Sequence, residues 1–226
     1  MSMESIVISI GGSVILAEEA DVSFLRKLVN LLKKFSKQYK IYVIVGGGKI
    51  ARTYIKKGRE LNLDEDTLDE VGIEITRVNA KLQTSTIGIS NGDIPLTTDE
   101  AERIDKPIVI MGGTVPGHST DLVGAELSEK TKANKFIIAT NVDGIYDKDP
   151  NKYSDAKQLK ELTIKELIKK YGTEWGVAES NVVIDGPALE IIDKAKIPTF
   201  VVNGKQLDQL EKIINNQLFD GTRIII

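Results

Sequence analysis

The chain has 226 residues, with 30 Lys and Arg against 33 Asp and Glu, and its formal net charge at pH 7 is −3. A chain of this length can bury a large core, and its charge balance argues against nucleic acid as a partner, because phosphate backbones attract a basic surplus. The absence of cysteine excludes disulfide bonds, thiolate zinc sites and cysteine nucleophiles.

The N-terminal residues MSMESIVISIGG carry an acidic residue and no basic cluster, which is unlike a secretion signal. The longest apolar runs, such as FIIA, are far shorter than the roughly 20 residues of a membrane-spanning helix. We therefore expect a cytoplasmic protein with no membrane partner.

Four apolar segments run β-branched residues into turns that contain glycine: residues 2–12, 40–48, 106–114 and 135–144. Apolar residues fill these segments almost continuously, which is typical of strands buried on both faces of a parallel sheet. Between them, residues 22–35 and 122–132 show helical spacing of apolar side chains. This alternation predicts an α/β fold with a mostly parallel sheet between layers of helices.

The C-terminal third has helical and strand patterns in alternation. It predicts helices at residues 163–172, 187–196 and 207–217, strands at 198–202 and 222–226, and an irregular segment at 173–181. Earlier in the chain, the charged stretch LDEDTLDE at residues 63–70 predicts a loop or the start of a helix.

No linker or low-complexity segment divides the chain. We therefore expect a single domain, residues 1–226, built on one continuous sheet. Within it, one lobe is expected to cover roughly residues 1–134 and a second lobe roughly residues 135–226.

Three consecutive glycines, Gly46 to Gly48, end the second apolar segment in YVIVGGGKIAR. A Walker P-loop is disfavoured, because Ile50 stands where that motif requires Ser or Thr. The same residues match the dinucleotide-binding pattern G-x-G-x-x-A only weakly, because no strand ending in an acidic side chain follows about 20 residues later. A plain strand-to-helix turn is an alternative, since glycine serves tight turns in general.

Glycine pairs also end two other apolar segments, as Gly11-Gly12-Ser13 and Gly112-Gly113-Thr114. In an open α/β sheet, ligands bind at the carboxyl ends of the strands. Exposed amides at several adjacent strand ends can hold phosphate groups. The recurrence therefore predicts a site for more than one phosphate.

The segment GGTVPGHSTD carries hydroxyls that suit a phosphate monoester or the edge of a sugar and base, on Thr114, Ser119 and Thr120. One of residues 119–121 is expected to cap the helix that follows. His118 is the only histidine, and without a second His or Cys nearby it makes a poor metal site.

The segment ATNVDGIYDKDP combines a hydroxyl, an amide, an aromatic ring and a carboxylate, on Thr140, Asn141, Tyr146 and Asp149. This combination predicts a nucleoside pocket. Asp-Gly and Asp-Pro are also ordinary turn formers, so each pair taken alone has a simpler explanation.

The motifs IGGSV, VGGGKIAR, MGGTVPGHSTD and TNVDGIYDKDP occur in this order, followed by VVIDGPALEII. Together they resemble the amino acid kinase superfamily, and within it the archaeal-type uridylate kinases, from Ile6 to the end of the chain. The resemblance implies a three-layer α/β/α sandwich whose mostly parallel central sheet has about eight strands. It also implies transfer of the ATP γ-phosphate, with Mg²⁺, to UMP, giving UDP and ADP, and assembly as a homohexamer.

The resemblance also assigns binding residues. The UMP site is expected at Gly46, Gly47, Asp69, Thr114, Val115, Pro116, Gly117, His118, Ser119 and Thr120, with Asp69 on the ribose. The ATP phosphates are expected at Ser9, Ile10, Gly11, Gly12, Ser13, Gly48 and Arg52, and the ATP nucleoside at Thr140, Asn141, Tyr146 and Asp149.

One position departs from the superfamily pattern. Ser9 stands where much of the superfamily has a lysine, two residues before the first glycine pair. The missing positive charge must come from elsewhere, and Lys49 and Arg52 are the candidates. Asp121 and Asp143 match aspartates that order the phosphate-binding groups, so the expected catalytic set is Arg52, Lys49, Asp121 and Asp143.

Two alternative functions stay open. An isopentenyl phosphate kinase also phosphorylates a monophosphate, but its resemblance would imply a histidine near the acceptor, and the segment after GGGK holds none. A non-catalytic nucleotide-binding protein on the same fold is the second alternative, because the lysine is missing at Ser9 and a fold alone does not establish activity.

Overall fold

A central sheet organises the chain in a computed structural model that describes residues 3–15, 22–150, 152–174 and 183–226. Within these ranges the strands are β1 (Ser5–Ile10), β2 (Lys40–Val45), β3 (Ile108–Met111), β4 (Lys135–Thr140), β5 (Glu161–Thr163), β6 (Thr199–Asn203) and β7 (Thr222–Ile225). The helices are α1 (Gly12–Ile15), α2 (Val22–Phe35), α3 (Gly48–Glu60), α4 (Glu65–Ile87), α5 (Thr98–Arg103), α6 (Thr120–Lys130), α7 (Ile164–Tyr171), α8 (Gly186–Ala195) and α9 (Leu207–Ile214).

The strand order in the sheet is β3-β2-β1-β4-β6-β7-β5. The first five strands in this order pair in parallel, and only β6 and β7 pair antiparallel. The predicted α/β fold with a mostly parallel sheet is confirmed, with seven strands in the described part of the chain where the resemblance implied about eight. Because the order reverses at β1, the β1–β4 boundary is where an open α/β sheet forms its ligand crevice.

Apolar layers cover both faces of the sheet. One layer packs β1 and β2 against α2 and α9, with Leu28 and Phe35 fully enclosed. The other packs the opposite faces of β4 and β6 against α6, α7 and α8, around Phe136 and Leu189. None of the helices in the described ranges has the length and apolar content needed to cross a bilayer.

Most predicted elements are confirmed, including the helices at 22–35, 122–132 and 163–172 and the last strand. The prediction for residues 63–70 was incomplete, because α4 runs on to Ile87. Asp64 starts this helix by accepting a hydrogen bond from the Thr67 amide at 2.8 Å. The irregular segment predicted at 173–181 lies largely outside the described residues, which stop at 174 and resume at 183.

The helix α4 escaped prediction because polar residues occupy much of its buried face. Thr76, Asn79, Gln83 and Thr84 are all buried there. An amphipathic helix is recognised from apolar residues that recur with its period, and here that signal is interrupted. The burial of these polar groups implies hydrogen-bonding partners inside the protein.

The glycine turns after β1 and β2 touch through their backbones. A Cβ on Gly12 would overlap the amide nitrogen of Gly48 and the carbonyl oxygen of Gly46, and a Cβ on Gly46 would lie 2.7 Å from the Gly12 nitrogen. Gly48 also has φ +66°, a left-handed conformation that favours glycine. The two turns therefore form one unit at the carboxyl edge of the sheet.

This contact predicts that Gly12→Ala destabilises the protein by about 1–3 kcal/mol, the usual range for an added methyl group in a packed site. The expected result is a lower melting temperature in thermal unfolding. Gly92→Ala is the control, because a Cβ there meets no atom within 4 Å. Equal melting temperatures for the two variants would contradict the close contact.

Candidate functional site

A cleft of about 660 Å³ opens at the carboxyl edge of the sheet. It lies between the turn after β2, the helices α3 and α4, and the loop that follows β3. Among the residues assigned from the sequence, its lining includes Gly47, Gly48, Arg52, Asp69, Val115, Gly117, His118, Ser119 and Thr120. The volume is in the range of small-molecule sites.

Polar side chains of α4 hold the two glycine turns that border the cleft. Asn79 donates from Nδ2 to the Gly46 carbonyl at 2.9 Å. Thr76 Oγ1 accepts from the Gly113 amide at 2.6 Å and donates to the Ile73 carbonyl at 2.6 Å. The bonds of Asn79 to Gly46 and of Gly113 to Thr76 explain why these two polar residues are buried on α4, because each satisfies a backbone group just after a strand end.

The loop after β3 is fastened to the same helix. Asp69 Oδ2 accepts from the Gly117 amide at 2.8 Å, and Arg77 donates from Nη2 to the Thr114 carbonyl at 3.0 Å. Arg77 also pairs with Glu74 at 2.6 Å. Asp69 therefore lies in the cleft, as the sequence assignment requires, with one carboxylate oxygen on the loop.

Two buried polar atoms of this loop make no hydrogen bond within the described residues: Thr114 Oγ1 and His118 Nδ1. The His118 nitrogen lies 3.6 Å from Glu126 Oε1, too far for a hydrogen bond. Unsatisfied buried polar atoms are uncommon in proteins, and each needs a cause such as a ligand or water. Both belong to the loop that the sequence assigns to the acceptor.

Asp121 lies in the first turn of α6, beside the end of β1. Its Oδ1 accepts from Ser9 Oγ at 2.7 Å. Burial raises the pKa of the Asp121 carboxyl to about 7; the Ser9 hydrogen bond opposes this rise, and the charge of Asp185 adds to it. The side chain at position 9 thus contacts a carboxylate directly, through a hydroxyl.

Asp143 joins the ends of β4 and β6. Its Oδ1 accepts from Asn203 Nδ2 at 2.9 Å and from Gln206 Nε2 at 3.4 Å. Tyr146 reaches Asp143 Oδ2 at 3.5 Å, and the Asp143 carboxylate contributes to a raised pKa of this phenol, for which desolvation is the largest cause. The segment assigned to the ATP nucleoside is therefore tied to its neighbouring strand end.

The assigned residues fall into two groups along the sheet edge. Seven of the ten acceptor residues line the cleft with Arg52 and Gly48, whereas Gly46, Thr114 and Pro116 lie outside its lining. The turn after β1 and the segment after β4 lie at the β1–β4 boundary. Ser9 and Ile10 are buried residues of β1 whose backbones pair with β2 and β4, and the Ile10 carbonyl accepts from the Gly46 amide at 2.9 Å. Lys49 lies exposed in the first turn of α3, outside the cleft lining.

Four residues of the site were missed from the sequence: Thr76, Arg77, Asn79 and Asp185. The first three lie on α4, whose length was not predicted. Asp185 precedes α8 and accepts a hydrogen bond from Ser119 Oγ. A signal for it existed, because Asp followed by Gly-Pro is a typical helix start.

The raised pKa of Asp121 predicts a stability penalty that depends on pH. The ordinary value is 3.8, so between that pH and about 7 the unfolded chain loses a proton that the folded protein keeps. The penalty therefore grows with pH through this window and is complete above about 7. Asp121→Asn is expected to melt at a higher temperature than the wild type at pH 8, with a smaller difference near pH 4.

Thermal unfolding of both proteins across this range measures the effect. Asp105→Asn, at an exposed position, is the control and is expected to show no such dependence on pH. An Asp121→Asn variant whose advantage is the same at pH 8 and pH 4 would rule out the raised pKa.

Comparisons with known proteins identify the family. Residues 4–203 match the amino acid kinase family. A uridylate kinase of Methanobrevibacter smithii is 41% identical over 223 residues, which cover 97% of this chain and 98% of that protein. A uridylate kinase of Thermococcus kodakarensis is 38% identical over 217 residues, 94% of this chain and 96% of the relative.

Solved structures show the same fold. The crystal structure of uridylate kinase from Archaeoglobus fulgidus superimposes with a TM-score of 0.86 at 37% identity, covering 98% of this chain and all of that chain (100%). A UMP kinase from Ureaplasma parvum gives a TM-score of 0.80 over 100% of both chains, but at 21% identity it supports the fold alone. The chain belongs to the amino acid kinase family.

Proposed function

We propose that the protein is a UMP kinase, which transfers the γ-phosphate of ATP to UMP and gives UDP and ADP. The observation that carries this proposal is the cleft, in which the joined glycine turns meet a loop held by Asp69. Relatives that are about 40% identical over nearly their whole length are uridylate kinases, which supports the same acceptor.

The reaction needs little from the protein beyond position and charge. An oxygen of the UMP phosphate attacks the γ-phosphorus, and the bond from that phosphorus to the bridging oxygen breaks, so that ADP leaves with the electron pair. A phosphate monoester with a second pKa near ~6 is already mostly a dianion at neutral pH, so no general base is required.

On the acceptor side, Gly46, Gly47 and the loop from Thr114 to Thr120 hold UMP, and Asp69 binds the ribose. Asp69 uses Oδ2 for the Gly117 amide, which leaves Oδ1 for a ribose hydroxyl. The same contact orders the loop, so binding and loop position depend on one carboxylate.

On the donor side, the backbone from Ser9 to Ser13 and Gly48 receives the ATP phosphates, and Thr140, Asn141, Tyr146 and Asp149 receive the nucleoside. Arg52 lines the cleft and supplies positive charge between the two substrates, with Lys49 beside it on α3. A guanidinium stabilises charge on transferring phosphate oxygens. Asp121 orders Ser9 and the start of α6.

Mg²⁺ enters the proposed reaction with ATP. No cluster of three or more His, Cys, Asp or Glu suited to a metal occurs among the described residues. Mg²⁺ is commonly bound through substrate phosphates, waters and one or two carboxylates. Asp143, on the donor side, is the carboxylate that would hold a metal-bound water, and the ion would neutralise phosphate charge.

A kinase for isopentenyl phosphate is the second candidate. The site lacks the expected histidine on α3, whose sequence is GKIARTYIKKGRE. A carboxylate, Asp69, lies in the cleft where an isoprenoid tail would require apolar contacts. Both observations favour the nucleotide acceptor.

Assembly as a homohexamer is part of the proposal. Val78 and Leu82 lie about one turn apart on α4 and are 63% and 44% exposed, which is the kind of surface that a second copy would cover. A mass of six 24.8 kDa chains in solution would support this assembly. A cytoplasmic location is part of the same proposal.

The test of the function is ADP release from Mg²⁺-ATP with UMP, CMP, AMP, GMP and isopentenyl phosphate offered in parallel, and with the product identified by mass. We expect turnover with UMP and formation of UDP. Turnover of isopentenyl phosphate alone would favour the second candidate. ATP and UMP binding without turnover would indicate a non-catalytic nucleotide-binding protein.

Arg52→Ala is expected to lower kcat roughly 100-fold, because the variant loses a charge that acts on the transferring phosphate. Arg59→Ala is the matched control on the same helix. Arg59 pairs with Glu65 at a distance of 2.7 Å and does not line the cleft. Steady-state kinetics with UMP measures both. A normal kcat/KM for Arg52→Ala would exclude the catalytic role.

A further inference from the structure

Asp185 connects two helix starts that belong to different parts of the chain. As the N-cap of α8 it accepts from the Ala188 amide through Oδ1 at 2.9 Å. Its Oδ2 accepts from Ser119 Oγ, across a sequence separation of 66 residues. Ser119 is itself the N-cap of α6 and accepts from the Leu122 amide at 3.0 Å.

A second N-cap in the protein shows what capping alone requires. Asp64, before α4, has φ −71° and ψ 158°, almost the same as the φ −71° and ψ 159° of Asp185. Its Oδ1 binds the Thr67 amide at 2.8 Å, and its Oδ2 binds the hydroxyl of the same residue at 2.9 Å. Both carboxylate oxygens of Asp64 thus bind within its own helix start, whereas Oδ2 of Asp185 binds Ser119 in the acceptor loop.

The backbone around Asp185 is fixed from the other side. A Cβ on the next residue, Gly186, would lie 2.6 Å from the Glu174 carbonyl oxygen. The start of α8 therefore packs closely against residues 173–174 and has little freedom to move. A carboxylate in this position can hold Ser119, and with it the start of α6, in one place.

Asp185 also acts on Asp121 through its charge. Asp121 lies in the first turn of α6, and Asp185 binds Ser119, the N-cap of that helix. The charge of Asp185 is one cause of the raised pKa of Asp121, after burial. Within the described residues, the other group that acts on Asp121 is the Ser9 hydroxyl, and no ion pair reaches either carboxylate. One residue thus contacts the acceptor loop and adds to the effect of burial on the pKa of Asp121.

We propose that Asp185 is a positioning residue for phosphoryl transfer, which acts through the Ser119 hydroxyl and the Asp121 carboxylate. The proposal rests on the proposed UMP kinase function. It places the control of the transfer geometry partly in α8, a helix that contributes no residue to the lining of the acceptor cleft.

The experiment compares Asp185→Asn with Asp64→Asn. Asn is as good an N-cap as Asp, so each variant keeps its helix start and loses one charge. For Asp185→Asn we expect a roughly tenfold lower kcat with UMP, because the charged hydrogen bond that holds the acceptor loop becomes at best a neutral one. We also expect the acidic limb of the pH profile to move to lower pH, because a like charge near Asp121 is gone. Asp64→Asn is expected to change neither quantity.

Ser119→Ala separates the two effects. It removes the hydrogen bond to Asp185 together with the N-cap of α6, and it keeps the charge, so we expect a lower kcat with the acidic limb at the wild-type pH. The double variant is expected to be no slower than Ser119→Ala, because Asp185→Asn then has no hydroxyl left to release. Wild-type kcat and an unmoved limb in Asp185→Asn would overturn the proposal.

Titration of Asp121 by carboxyl ¹³C NMR gives a readout that does not need turnover. A lower pKa for Asp121 in Asp185→Asn supports the electrostatic contact, and an unchanged pKa overturns it. If Asp185→Asn does not fold, a wild-type kcat in Ser119→Ala overturns the positioning role. A wild-type protein that fails to phosphorylate UMP refutes the proposed function, whereas UMP turnover that is unaffected in both variants refutes only the role of Asp185.

Discussion

The contact between the glycine turns after β1 and β2 is the constraint on which the site depends. Gly12, Gly46 and Gly48 approach so closely that a side chain at any of them would meet backbone atoms. The contact brings the turn assigned to the donor phosphates against the turn assigned to the acceptor. Phosphoryl transfer requires the two reacting groups to lie in line at short range, and backbone packing achieves this without a mobile side chain.

Side chains of α4 form hydrogen bonds with the glycine turns and with the loop after β3. Thr76 and Asn79 satisfy backbone groups of the turns, and Asp69 and Arg77 hold the loop after β3. Buried polar side chains are costly unless they are hydrogen-bonded, so this face of α4 is stable only when the turns occupy their observed places. The interactions that stabilise the helix and those that shape the cleft are therefore the same.

The sequence was sufficient for the sheet, because the sheet depends on local patterns. Apolar strands that end in glycine predicted the parallel sheet, and the cleft opens at the edge where these glycine turns lie. The supporting residues were not predictable in this way. Thr76 and Asn79 matter because of partners more than 30 residues away, and nothing in the local pattern of α4 identifies them.

Ser9, which stands where much of the superfamily has a lysine, donates a hydrogen bond to Asp121. Where a lysine would place a positive charge next to Asp121, Ser9 offers a hydroxyl, and the second nearby acidic residue is Asp185. Burial and the charge of Asp185 favour a protonated Asp121, and the Ser9 hydrogen bond opposes them only in part, whereas an adjacent cation would favour the ionised form. In the proposed function, the charge that balances the phosphates comes from Arg52, which lines the cleft from α3. On this proposal, the cationic contribution lies on α3 and not on β1.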